Sequence, residues 1–180
     1  MAATLSTLVR GHPQRAAATV IALGGALTIA SVYFFQFVLG YQPCPLCLEQ
    51  RNAFYISIPL AALLWLGAEY GASRKVMVAG FAIVALAMFW NTGLSAYHAG
   101  VEWKFWPGPI ECSGPANSFG SALSLRETLQ GGVHIPRCDE AAWTFLGISL
   151  AGYDVVISLA LALVAGWGAE TALAQRGKPR

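Results

Sequence analysis

Charged side chains are absent from four stretches of the chain, residues 16–48, 52–68, 76–101 and 155–169. A helix needs about 20 mostly apolar residues to cross about 30 Å of hydrocarbon. The first and third stretches exceed that length. The second, of 17 residues, and the fourth, of 15, reach it once flanking residues sit at the interface. The pattern predicts four transmembrane helices, near 16–38, 48–67, 76–97 and 151–170, in a single all-α integral membrane domain over residues 1–180. A helix of 33 residues, the length of the first stretch, would measure about 50 Å, too long for one span. Gly40, Pro43 and Pro45 punctuate it and predict a turn from which the chain re-enters the membrane. The apolar run over 16–38 is longer than the about 7–15 residues of a signal peptide, which favours a retained first span. Pro59 predicts a kink in the second helix.

Composition agrees with this. Apolar residues make up 56% and charged residues 11% of the 180, against about 25% charged in an average soluble domain. That excludes a disordered chain. A formal charge of +2 gives no footprint for nucleic acid. The charges that remain set an orientation. Arg10 and Arg15 precede the first span, Arg74 and Lys75 lie between the second and third, and Arg176, Lys178 and Arg180 follow the fourth. These are seven of the eleven basic residues, and the positive-inside rule puts them in the cytoplasm with both termini. Arg51, Lys104, Arg126 and Arg137 fall on the other side, diluted by Glu49, Glu102, Glu111, Glu127, Asp139 and Glu140. A long segment, 98–150, then faces outward. It opens on Trp103, Phe105 and Trp106, aromatics suited to the headgroup level. A short helix is predicted over 121–129, and the apolar residues from Trp143 to Leu150 suggest a second interfacial segment. Membrane lipid is an expected partner and nucleic acid is not.

All four cysteines, Cys44, Cys47, Cys112 and Cys138, lie on the outward side, which is oxidising in bacteria and in secretory compartments. Four cysteines allow three pairings, and spacing does not choose among them. A bridge between Cys112 and Cys138 would close 27 residues and stabilise by about 3.5 kcal/mol in the chain-entropy model. A bridge within Cys44-Pro-Leu-Cys47 closes too short a loop for stability to be its reason, so redox chemistry is the better one. A haem attachment motif is excluded because Leu48, not His, follows Cys47. The spacing does not match the paired hooks of a four-cysteine zinc site.

Cys44 and Cys47 sit where the second helix begins, and the partial positive charge of a helix N-terminus favours a thiolate. Arg51 is four residues after Cys47, on the same helical face. It can stabilise a Cys47 thiolate directly or bind an oxygen-bearing acceptor beside the sulfur. The competing reading is an arginine snorkelling to the interface. His98 closes the third helix at a similar depth and can donate to a bound ring or shuttle a proton. Asp154 is most simply a charge matched to the dipole at the start of the fourth helix.

Four spans, a CxxC entering the second, and two cysteines in the second outward loop together resemble the DsbB family. The likeness rests on Cys44-Pro-Leu-Cys-Leu-Glu-Gln-Arg51, on Cys112 and Cys138, and on Trp143-Thr-Phe-Leu-Gly147. It implies a four-transmembrane-helix bundle with a long cysteine-bearing periplasmic loop, in the inner membrane of a bacterium. It implies a thiol:quinone oxidoreductase that reoxidises a DsbA-like thioredoxin-fold protein and passes two electrons to a quinone, ubiquinone or menaquinone. By position, Cys112 resembles the loop cysteine attacked by the partner, and Cys138 the one released to attack Cys44. Cys47 resembles the cysteine that meets the quinone, and Arg51 the arginine that supports it. A partner couple near about −120 mV is already strongly oxidising, so only an acceptor of higher potential favours its reoxidation. Gln50 stands where an acidic residue is expected. The rival is a membrane scaffold or small transporter whose outward loop is stapled by static disulfides.

Overall fold

A computed structural model of the chain describes residues 11–109 and 137–174. Four of its helices are long and apolar enough to cross a membrane. Helix α1, Pro13–Tyr33, starts with proline at its first turn, where the missing N–H has no partner to lose. It runs into a π-helical turn, Phe34–Val38, and stops at Gly40, whose φ of 77° a side chain would disfavour. Helix α2 is Pro45–Tyr70, α3 is Arg74–Glu102 and α4 is Leu150–Ala174. Helix α2 continues unbroken through Pro59. Helix α3 continues about one turn past the predicted end, so His98 lies inside its last turns and does not close it. Before α4, the expected interfacial segment is a small hairpin. Strands β1, Thr144–Phe145, and β2, Ile148–Ser149, pair antiparallel. Leu146 and Gly147, at φ 51° and 79°, make the two-residue turn. The predicted 121–129 helix, Cys112 and the C-terminal basic residues lie outside the described residues.

The helices meet through small residues, as membrane bundles do in the absence of a hydrophobic drive between helices. Ala17, Ala18 and Ile21 of α1, Ala61 and Leu64 of α2, Phe81, Val84 and Met88 of α3, and Ala162 and Ala165 of α4 form one buried cluster. Helix α3 packs most extensively on α4. At Gly168 the Phe81 ring comes so near that a Cβ would lie 2.7 Å from it. The outward-turned positions are large and apolar, among them Leu23, Leu27, Leu63, Leu86, Trp90 and Leu163. Such a surface is stable against lipid and not against water. Past α3, Trp106 folds back over Gly100 and donates its indole N–H to the Tyr97 carbonyl at 2.9 Å. Near the opposite end of α1 and α2, Arg15 pairs with Glu69 at 2.5 Å and lies over the Trp65 ring.

Candidate redox site

Cys44 is the N-cap of α2, with Pro45 at the first helical position. Its extended backbone (φ −76°, ψ 165°) turns the sulfur back over the helix start, where it accepts the Cys47 backbone N–H at 3.2 Å. The sulfur thus does what a serine or aspartate oxygen does at other helix starts. His98 approaches from α3, with Nε2 3.6 Å from Cys44 Sγ. The Gln50 side-chain amide donates to His98 Nδ1 at 3.2 Å. With Nδ1 accepting, the ring proton of neutral His98 sits on Nε2 and faces the sulfur. The Cys47 thiol and then the His98 ring hold the Cys44 thiol down at about 5, from an ordinary 9.0, against the opposing effect of burial.

The hydrogen-bonding partners of a thiolate gather at Cys44; sequence reasoning gave the helix start to both cysteines and offered Arg51 to a Cys47 thiolate or to an acceptor beside it. Arg51 is buried, 7% exposed, and does not snorkel. Its Nη1 donates to Gln36 Oε1 at 2.8 Å and its guanidinium lies 5.6 Å from the centre of the Tyr33 ring. Those two contacts are with the end of α1 and the π-helical turn that follows it, and no hydrogen bond joins Arg51 to Cys47 among the described residues. Arg51 Nε is buried with no partner.

Cys138 packs against Cys44 in a small cluster with Leu46 and Val101. Its sulfur, the Cys44 sulfur and a His98 ring nitrogen all lie within 4.8 Å of one another. Cys138 is disulfide-bonded, to a partner outside the described residues, while Cys44 and Cys47 are free thiols. A bridged sulfur is not a thiolate ligand, so the trio presents the geometry of disulfide exchange and not a zinc centre. The segment carrying Cys138 is tied down by its neighbour. The Asp139 carboxylate accepts from Lys104 Nζ at 2.7 Å and from Arg137 Nε and Nη2 at 2.9 and 2.8 Å. Arg137 and then Lys104 hold the Asp139 carboxyl below the usual carboxylate range.

Cys44 and Cys47 line a cavity of about 290 Å³ between the helices. Val32, Phe35, Phe54 and Ile157 give it an apolar wall; Gln50, Arg51, His98, Glu102 and Asp154 add polar groups. Glu102 stands 3.9 Å from His98 Nε2 and accepts from the Ser149 hydroxyl. Asp154 is not a first-turn dipole charge, since no acidic residue occupies the first turn of α4. It is tied to α3 by Asn91 Nδ2 at 3.1 Å and Ser95 Oγ at 2.6 Å. Asn91, Ser95, His98 and Glu102 follow one another at four, three and four residues, which is one helical face. That spacing was the signal for a polar seam in α3, and reading His98 alone missed it.

A four-helix membrane bundle with a dithiol at one helix start and a disulfide against it defines a membrane-embedded thiol–disulfide protein. The chain belongs to the DsbB family: the family model "Disulfide bond formation protein DsbB" matches residues 14–168. It is similar to Disulfide bond formation protein B of Xanthomonas euvesicatoria pv. vesicatoria, 33% identical over 158 residues, covering 79% of this chain and 84% of the relative. It is similar also to the protein of that name from Hahella chejuensis, 31% identical over 76% of this chain and 80% of the relative. The one from Polaromonas sp. is 25% identical over 84% and 88% respectively. No solved structure matches the chain. Its membership makes it a multi-pass membrane protein with a disulfide-forming oxidoreductase role.

Proposed function

We propose that the chain is a thiol:quinone oxidoreductase of a bacterial inner membrane. It reoxidises a DsbA-like periplasmic protein by disulfide exchange and delivers the two electrons to a membrane quinone. The observation that carries this reading is the position of Cys44, with the Cys138 sulfur on one side and a largely apolar cavity on the other. Both termini are cytoplasmic and the cysteines periplasmic in this reading, which rests on the seven basic residues grouped on one side.

The chain's own steps follow from thiolate chemistry. A partner dithiol opens the disulfide of Cys138 through Cys112. The released Cys138 thiolate attacks Cys44 in the oxidised pair, so that the Cys44–Cys47 bond breaks and Cys47 leaves as a thiolate. The partner's second thiol displaces Cys112 from the mixed disulfide, and the Cys112 thiolate attacks Cys138 in the Cys138–Cys44 bridge; the loop disulfide re-forms and Cys44 leaves as the thiolate, stabilised by the Cys47 N–H and His98. A quinone, when bound, supplies acceptance of two electrons and two protons. The cavity fits one: its volume is near the lower end of the about 300–1,000 Å³ of ligand pockets. Gln50, Arg51 and His98 bring donors to its wall, and the Arg51 Nε has no acceptor of its own.

The stapled-scaffold reading expects every cysteine in a bridge, and Cys44 and Cys47 are free thiols. The test mixes purified protein, a soluble quinone and a reduced thioredoxin-fold CxxC protein in detergent. Loss of quinone absorbance, falling to background in Cys47→Ser, is expected. No loss in the native protein with the partner still reduced overturns the proposal.

A further inference from the structure

Asp154 lies about one turn inside α4, where an ionisable side chain is expensive and usually has a task. Its carboxyl reaches the same cavity as the cysteine pair. Asn91 Nδ2 donates to Oδ2 at 3.1 Å, and Ser95 Oγ is 2.6 Å from that oxygen. Ser158 Oγ is 3.3 Å from Oδ1 and accepts from Asn91 Nδ2 at 2.9 Å.

The arrangement accommodates two charge states. Ser95 has one hydroxyl proton and two acceptors in reach, Asp154 Oδ2 and the Asn91 carbonyl, 2.8 Å away. With Asp154 a carboxylate, the Ser95 proton points at Oδ2. With a proton on Oδ2, Asp154 donates to Ser95 Oγ, and Ser95 turns its own proton to the Asn91 carbonyl. Asn91 Nδ2 and Ser158 keep their partners in both states. Rotation of one hydroxyl is the whole rearrangement, so neither charge state leaves a buried polar group unpaired. A tie between α3 and α4 needs only one such state.

We propose that Asp154 is a proton carrier for oxidation of the Cys44–Cys47 pair, holding a proton at Oδ2 and releasing it to an acceptor in the cavity. This rests on reading the cavity as a quinone site. Oxidation of a Cys44 thiolate and a Cys47 thiol to a disulfide yields two electrons and one proton. A quinone takes up two of each, and the Asp154 carboxyl supplies the second proton and becomes a carboxylate. Charge balances, with one negative charge on Cys44 before and on Asp154 after.

The groups that share the cavity with Asp154 come from each element around it. Helix α3 contributes His98 and Glu102. The start of α2 contributes Cys44, Cys47 and Arg51, and the turn before it Tyr41. Arg137 and Glu140 come from the segment before the hairpin, and Tyr153 from α4 itself.

Infrared difference spectra of the reduced, quinone-free chain between about pH 5 and 9 test the carrier directly. A protonated-carboxyl band that fades as pH rises, and is missing in Asp154→Asn, is expected. A titration identical in both proteins overturns the proposal. In quinone reduction, Asp154→Asn should be about a hundredfold slower at the alkaline end, the gap narrowing as solvent protons become abundant. An equal loss at every pH marks a purely structural tie and overturns the proposal. If Asp154→Asn does not fold, Asp154→Glu replaces it: a band with a moved midpoint supports the proposal and an unmoved band overturns it. Failure of the native protein to reduce quinone defeats the quinone reading alone, since the infrared titration needs no quinone.

Discussion

The two ends of this bundle are built on opposite rules. Around Phe81, Leu64, Ala17 and Ala165 the interior is dry and small side chains let the helices close up. Around Cys44 the interior holds Gln50, Arg51, Asn91, Ser95, His98, Glu102 and Asp154. The dry end gains from dispersion between close-packed atoms. The polar end gains little net stability, because interhelical hydrogen bonds in membranes average about 0.6 kcal/mol. What the polar end acquires is reactivity: a sulfur buried by protein whose thiol is held well below its ordinary value. Substitutions should therefore separate cleanly, those at one end changing stability and those at the other changing chemistry.

The largest expected effect on folding tests the dry end. Phe81→Ala should lower stability by about 3–5 kcal/mol, measured by unfolding in mixed detergent. The pH profile of Cys44 alkylation should not move, and a moved profile would break the separation.

At the polar end, His98→Leu should raise the pH midpoint of Cys44 alkylation from about 5 by roughly one unit, equivalent to about 1.4 kcal/mol. The folded value lies below the ordinary 9.0, so the thiolate's contribution in the reduced protein is full above about pH 9 and is lost as pH falls towards 5. Melting of the reduced protein should weaken across that window, and less so in His98→Leu. An unchanged alkylation midpoint would show that the Cys47 contacts alone hold the thiolate.

Arg15→Gln removes the half-exposed pair with Glu69 and the contact with the Trp65 ring and should cost about 1 kcal/mol. Thermal unfolding at low and high salt measures it. A larger loss would mean that the charged rim, and not the small-residue seam, holds the dry end together.

The four spans were legible because missing charge over 15 or more residues, with apolar flanks, has few meanings other than lipid. Even the fourth, interrupted by Asp154, was within reach. The CxxC at a helix start was legible for the same kind of reason, since proline placement and local dipole lie within a few residues of each other. What sequence reasoning misassigned were relations across the bundle. Asp154 looked like a dipole charge because its partners Asn91 and Ser95 are about 60 residues away. Arg51 pointed at Cys47 along one helix, while Gln36 and Tyr33 on another helix claim its guanidinium. Nothing in the spacing of Cys44 and Cys138 states that their sulfurs share one small volume.

The Asp139 clamp has a kinetic meaning. With its carboxylate staked between Lys104 at the end of α3 and Arg137 beside it, the neighbouring Cys138 is not searching for Cys44. In the proposed reaction the two sulfurs, already within 4.8 Å, would meet at an effective molarity set by geometry, and their exchange would be first order, indifferent to how many copies the membrane holds. Asp139→Asn should slow that exchange about tenfold in single-turnover quench experiments, equivalent to about 1.4 kcal/mol, while leaving alkylation of Cys44 untouched. In the proposed reaction the clamp thereby replaces search by position: the handover from Cys138 to Cys44 starts from sulfurs that already share one small volume.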